Sequence, residues 1–184
     1  TYLVGALLVG VIVVGAMYAV SKRVTTTPSV PTNGKMRVTA SFYPFYFFTR
    51  EIAGDDADVQ NLTPAGAEPH EYEPTPQEII RLEESQMVIV HGTMEPWLGK
   101  MKQGLSDKGI VLITTREGFS QDAHVWLSPR IAKHIVERIR DALSDKDPQH
   151  ASNYHVRAED LTRRLTELDV QFTQGLQGCA QTMF

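Results

Sequence analysis

The chain has 184 residues, of which 42% are hydrophobic and 22% are charged, an ordinary composition for a folded domain with its own core. Its formal net charge of −4 provides no basic surface for nucleic acid, so we expect no nucleic-acid partner. The single cysteine, Cys179, excludes an internal disulfide and a cysteine-rich zinc module.

The first segment of the chain is apolar and uncharged. It comprises the nineteen residues from Tyr2 to Val20, and a helix of that length is about 28 Å long, close to the hydrocarbon thickness of a bilayer. We therefore predict a transmembrane or signal helix over residues 1–21 and favour an uncleaved anchor, although Ala19-Val20-Ser21 also fits a cleavage site. Residues 22–35 are rich in Thr, Ser and Pro, which predicts a flexible tether.

Strand patterns alternate with helix patterns over residues 36–147. The predicted strands cover residues 36–42, 57–63, 86–92 and 109–115. The predicted helices cover residues 43–54, 76–85, 95–106 and 128–145, the last with an apolar stripe at Ile131, Ile135, Ile139 and Ala142. This alternation predicts an α/β lobe with a four-stranded parallel sheet flanked by helices.

The last part of the chain, residues 148–184, changes character. Apolar residues recur there at steps of three and four from Ala151 to Leu176, which predicts one long helix of about 28 residues. One interpretation is a helix that covers the sheet. We favour a spine that leads to a second lobe, of which this chain holds only the start.

Three of the six histidines lie at the carboxyl ends of predicted strands: His70 follows the second, His91 ends the third and His124 follows the fourth. Ligands of open α/β sheets bind beyond the carboxyl ends of the strands, and imidazole is the commonest protein ligand for zinc. Two loop histidines alone also fit ordinary polar loop residues. Pro69 and Pro74 favour the metal-binding interpretation, because they predict a stiff, extended loop around His70 that can hold a ligand in place.

The second loop has its own support. Val125, Trp126 and Leu127 are apolar, and we expect them to anchor the loop of His124 beside the core. The other histidines lie on predicted helices away from the apolar stripes, and we expect them on the solvated surface. They are His134, His150 and His155.

Four stretches of the sequence carry specific motifs: TASFYPFYFFTREIAGD, NLTPAGAEPHEYEPTPQEI, EPWL and HVWLSP. Together they closely resemble the metal-specific solute-binding proteins of zinc and manganese ABC transporters, and the resemblance runs from about Met36 to the end of the chain. It implies two lobes, each with a parallel sheet, joined by one long helix, with the metal between them. It also implies that His70 and His124 are metal ligands and that the second lobe supplies the others.

Three positions depart from the family pattern, and one of them is Ala123, where the family has proline before the second histidine. Ser128 stands where the family has aspartate, and we expect its hydroxyl to cap the helix that starts at Pro129. His91 stands where many members have Asn or Gly, and we expect it behind the ligands or on the surface, with a third metal ligand as the open alternative.

The resemblance implies a binding protein, not an enzyme, that captures Zn(II), with Mn(II) as the alternative, and delivers it to an ABC permease. We expect it on the extracytoplasmic face of the membrane, held by its N-terminal helix. Imidazole ligands favour zinc over manganese, and Glu71 and Glu73 would attract a cation. Two alternatives are a membrane-tethered zinc-dependent hydrolase, which needs an open coordination position and a general base, and a metal-free adhesion or interaction module.

Overall fold

A computed structural model describes residues 34–115 and 124–178. These residues form strands and helices in alternation, followed by two consecutive helices. In chain order the elements are β1 (Met36–Ala40), α1 (Tyr43–Ala53), β2 (Ala57–Asn61), α2 (Pro76–Glu83), β3 (Met87–Val90), α3 (Leu98–Asp107), β4 (Val111–Thr114), α4 (Pro129–Lys146) and α5 (Ala151–Gly175).

The strands form one parallel sheet in the order β2-β1-β3-β4. Every neighbouring pair is parallel, with Met36 opposite Ala57 and Met87 opposite Val111. The predicted α/β lobe with a four-stranded parallel sheet is therefore confirmed. Because all strands run the same way, their carboxyl ends meet at one edge, and the loops that follow them gather there.

The sheet is covered on both faces, as parallel sheets with helical crossovers are. Successive side chains of a strand point to opposite faces, and β3 shows this alternation. Met87 and Ile89 belong to the cluster under α1, α4 and α5, whereas Val88 and Val90 pack with residues of α2 and α3. All four are fully buried, which explains why this strand is apolar throughout.

The structure corrects two helix predictions. α3 begins at Leu98 rather than at Glu95, because Pro96 and Trp97 form a turn in which the Leu98 N–H donates to the Glu95 carbonyl (3.2 Å). The buried face of α4 is centred differently from the predicted stripe, since Ile131 and Ala142 are only partly buried. The residues that α4 buries are Ala132, Ile135, Val136, Ile139 and Leu143.

The long helix is confirmed with a shorter extent. A 3-10 turn over Pro148–His150 comes first, and α5 then runs for 25 residues. Its first half is buried against the lobe through Tyr154, Ala158 and Leu161. Its second half presents exposed apolar side chains, which are Leu168, Val170, Phe172 and Leu176 at its end.

The predicted anchor over residues 1–21 lies outside the described residues, as do nearly all of the predicted tether, Cys179 and the end of the chain. Within residues 34–115 and 124–178, no helix combines the length and the apolar character needed to cross a bilayer.

Candidate functional site

His70 lies in the loop between β2 and α2. Two turns shape this loop: the Ala67 N–H donates to the Pro64 carbonyl (3.2 Å), and the Glu71 N–H donates to the Glu68 carbonyl (3.2 Å). The His70 N–H also donates to Glu68 Oε1 (3.2 Å). The prediction of an extended loop is therefore wrong in its conformation, because local hydrogen bonds fold the segment between its prolines.

A capping box closes the far end of the His70 loop. The Thr75 N–H donates to Glu78 Oε2 (2.8 Å), and the Glu78 N–H donates to Thr75 Oγ1 (3.4 Å). The Thr75 hydroxyl also donates to Glu78 Oε2 (2.7 Å), and the two hydrogen bonds that this carboxylate accepts from Thr75 hold the pKa of Glu78 below its usual value. Burial, together with the hydrogen bond to Glu78, raises the pKa of Tyr72 to about 12. The Thr-x-x-Glu spacing is the sequence signal for this cap.

His124 precedes a short 3-10 turn, Val125–Leu127, and its carbonyl accepts the Leu127 N–H (3.0 Å). Two of the three predicted anchors pack as expected: Val125 is 1% exposed, and Trp126 meets Phe42 edge to face at 4.9 Å. Leu127 does not, since it is 71% exposed. The turn therefore rests on two side chains.

Ser128 begins α4 through its backbone alone. The Ala132 N–H donates to the Ser128 carbonyl (2.8 Å), but the Ser128 hydroxyl makes no capping hydrogen bond. The prediction of a serine side-chain cap is therefore wrong.

The structure brings His70 and His124 together. Their ring centroids are 5.8 Å apart and their planes are inclined by 63°. With zinc–nitrogen bonds of about 2.1 Å, two imidazoles on one tetrahedral ion have their centroids about 5 Å apart. Small side-chain rotations would therefore let both rings reach one ion.

The histidine pair lines a pocket of about 560 Å³. Aromatic and apolar side chains form much of its wall, among them Phe42, Met94 and Trp126. Both histidines are solvent-exposed, so an ion can reach them directly. In the part of the chain that the structure describes, no group of three or more His, Cys, Asp or Glu residues could hold a metal, and the pair stands as two candidate ligands.

His91 lies behind this pair and is fully buried. Its ring stacks on Phe45 (6.4 Å, 9°) and meets Trp126 edge to face (6.0 Å), while Nδ1 lies 3.0 Å from Thr93 Oγ1. Of the two placements expected for His91, the surface is wrong, and a position behind the candidate ligands is what the structure shows.

The remaining three histidines differ in their exposure to solvent. His134 and His155 are exposed, as predicted. The prediction of a solvated surface is wrong for His150, whose Nδ1 lies 2.7 Å from Asp147 Oδ2 and whose side chain is only 33% exposed.

Sequence reasoning missed Glu95. Its carboxylate accepts hydrogen bonds from the Ser41 hydroxyl and from the backbone N–H groups of His91 and Gly92. Gly92 has φ +107°, and a Cβ there would overlap Thr114, so only glycine fits this turn. The signal was an acidic residue between a strand end and a helix, where loop amides need acceptors.

A parallel α/β lobe followed by a long helix is the architecture of a lobe of metal-specific solute-binding proteins. The chain belongs to the family described as zinc-uptake complex component A, periplasmic, whose family model matches residues 38–184.

Relatives and solved structures agree with this family. The zinc-binding protein AdcA of Streptococcus pyogenes is 31% identical over 194 aligned residues, which cover 88% of this chain and 38% of that protein. The zinc-binding lipoprotein AdcA of Streptococcus pneumoniae is 32% identical over 175, covering 83% and 35%. The crystal structure of the Zn(II)-bound ZnuA-like domain of the pneumococcal AdcA superposes with a TM-score of 0.76 at 34% identity, covering 80% of this chain and 58% of that one. This chain thus spans less than two fifths of these curated relatives.

Proposed function

We propose that this chain is the metal-binding lobe of an extracytoplasmic solute-binding protein that captures Zn(II) and passes it to an ABC permease. The observation that carries the proposal is the convergence of His70 and His124 from two separate loops to a centroid distance of 5.8 Å. Neutral imidazoles bind zinc strongly and manganese weakly, so Mn(II) is the second choice.

The comparisons support the cargo and the partner. Relatives at about one third identity are named as zinc-binding proteins, and the family is described as a component of a zinc-uptake complex. On this basis the chain is a carrier rather than an enzyme, and its partner is the permease of that complex. The family description also supports an extracytoplasmic location, and the apolar length of Tyr2–Val20 supports an anchor there.

Two imidazoles leave zinc with open coordination positions. We propose that the remaining ligands belong to a second lobe reached through α5. The exposed apolar side chains of Leu168, Phe172 and Leu176 support this, because steps of four place them along one helix face and an exposed apolar face favours a protein contact.

The test is zinc titration by calorimetry on the full chain and on four single variants. His70→Ala and His124→Ala should each weaken zinc binding more than about tenfold, because each removes one ligand. His134→Ala and His155→Ala are the matched controls and should bind zinc as the unmodified chain does. Equal affinities in all four variants would show that the pair is not the site.

A further inference from the structure

A buried carboxylate lies beneath the histidine pair. Glu95 is 7% exposed, and it accepts from the Ser41 hydroxyl (2.7 Å), the His91 N–H (2.8 Å) and the Gly92 N–H (2.9 Å). A buried carboxylate is tolerated only when donors replace the water it has lost. Here the donors come from the ends of two different strands, β1 and β3, so the carboxylate ties those ends together.

One branch runs from Glu95 to the loop of His70. The carbonyl of Ser41 accepts both the Thr63 N–H (3.0 Å) and the Thr63 hydroxyl (2.7 Å). Thr63 directly precedes Pro64, where the two turns that lead to His70 begin. The position of Ser41 therefore sets the base of that loop.

The other branch runs from Glu95 to His124. Glu95 holds the backbone of His91, and the His91 ring packs against Trp126 at 6.0 Å. Trp126 in turn packs against the His124 ring at 5.4 Å. Because the His91 ring contacts Trp126 and Trp126 contacts the His124 ring, a shift of the His91 backbone would displace the ring against which His124 packs.

We propose that Glu95 is a positioning residue for the His70–His124 pair, since it fixes the two loops relative to one another without touching the ion. The proposal rests on the proposed function, in which this pair binds zinc. Metal sites require their ligands to be held within about 0.5 Å of the productive geometry. Loosening the two loops should therefore lower zinc affinity even though both imidazoles remain.

The test variant is Glu95→Gln. Glutamine has the same shape, but its NH₂ group replaces one acceptor oxygen, so at least one of the three donors loses its partner. The matched control is Glu84→Gln, at the opposite end of β3, where Glu84 pairs with Arg37 (3.0 Å). Zinc affinity, melting temperature and the nuclear Overhauser contact between the His70 and His124 rings are measured on the full chain.

We expect Glu95→Gln to lose about tenfold in zinc affinity and to weaken the contact between the two rings before any metal is added. Glu84→Gln should keep both. Zinc binding by Glu95→Gln equal to that of the unmodified chain would overturn the proposal. So would an unchanged ring contact, because a merely structural Glu95 would lower only the melting temperature.

A further variant keeps the test decisive if Glu95→Gln does not fold. Ser41→Ala removes a single donor to the same carboxylate, and it should shift affinity and ring contact in the same direction by a smaller amount; no shift would overturn the proposal. Failure of the proposed function looks different. In that case His70→Ala and His124→Ala would leave zinc binding unchanged, while the ring contact would still report on Glu95.

Discussion

The amino and carboxyl ends of the sheet differ in how their polar side chains are arranged. At the amino end, charged side chains from different elements form hydrogen bonds and ion pairs with one another. At the carboxyl end, His70 and His124 face each other at the surface beside a pocket. The groups at the amino end stabilise the fold, whereas two exposed imidazoles held close together can reach a ligand.

Arg157 is the shared hydrogen-bond donor of the first polar group at the amino end. Its guanidinium Nη1 donates to the carbonyls of Ile52 (3.3 Å) and Ala53 (2.9 Å), at the end of α1, and to Asp56 Oδ2 (2.7 Å). A cation is favourable at a helix C-terminus, where carbonyls lack partners. Gly54 has φ +56°, and a Cβ there would lie 2.7 Å from the Arg157 Cζ, so glycine serves both the turn and this contact.

A second group at the amino end is centred on Asp147. The fully buried Tyr154 donates its hydroxyl to Asp147 Oδ2 (2.7 Å), and His150 lies at the same oxygen (2.7 Å). Burial by itself raises the pKa of Asp147, but the hydrogen bonds from Tyr154 and His150 outweigh it, so the pKa is lowered. The two ends should therefore respond differently to substitution. Substitutions at the amino end should change the free energy of unfolding, and substitutions at the histidine pair should change zinc affinity.

The largest expected effect comes from Arg157→Ala. It should lower the free energy of unfolding by about 2 kcal/mol, because the charged Asp56 and two helix-end carbonyls lose their donor. Urea unfolding measures this loss, and calorimetry should find zinc affinity unchanged. The control is Arg163→Ala, whose exposed pairs with Asp160 and Glu167 should contribute little to stability because solvent screens them. Reduced zinc affinity in Arg157→Ala would contradict the expectation that substitutions at the amino end change stability and not binding.

Tyr154→Phe should have the next largest effect. It removes only the hydroxyl and keeps the ring that packs in the core, so about 1 kcal/mol of stability should be lost. Thermal unfolding at neutral pH checks this value. Stability equal to that of the unmodified chain would mean that water replaces the hydroxyl at Asp147.

The smallest expected effect concerns pH. The hydrogen bond from Arg157 lowers the pKa of Asp56 in the folded state, so the unfolded chain binds that proton more tightly. The resulting stabilisation is complete above the unfolded value of about 3.9 and is lost as the pH falls through the lower folded value. Asp56→Asn should therefore flatten the fall in stability between about pH 5 and pH 2, by less than about 1 kcal/mol. An unchanged profile in urea unfolding at several pH values would show that Asp56 carries none of the acid dependence.

Local sequence pattern was sufficient for the order and type of the elements. Apolar runs bounded by turn residues marked all four strands, and three-and-four spacing marked the helices, because both signals depend on neighbours within a few positions. The same placement put His70, His91 and His124 at the carboxyl ends of successive strands. The family motifs then separated His70 and His124 from His91.

Tertiary structure alone decided how the candidate site is supported. Ser41 and Glu95 are 54 positions apart, and no local periodicity reports a hydrogen bond over that separation. The burial of His91 likewise depends on Phe45 and Trp126 from distant parts of the chain. Sequence by itself determined which histidines reach the carboxyl edge, since a parallel sheet brings every strand end there. Their distances and partners were decided only by packing, because side chains remote in sequence compete for the same space.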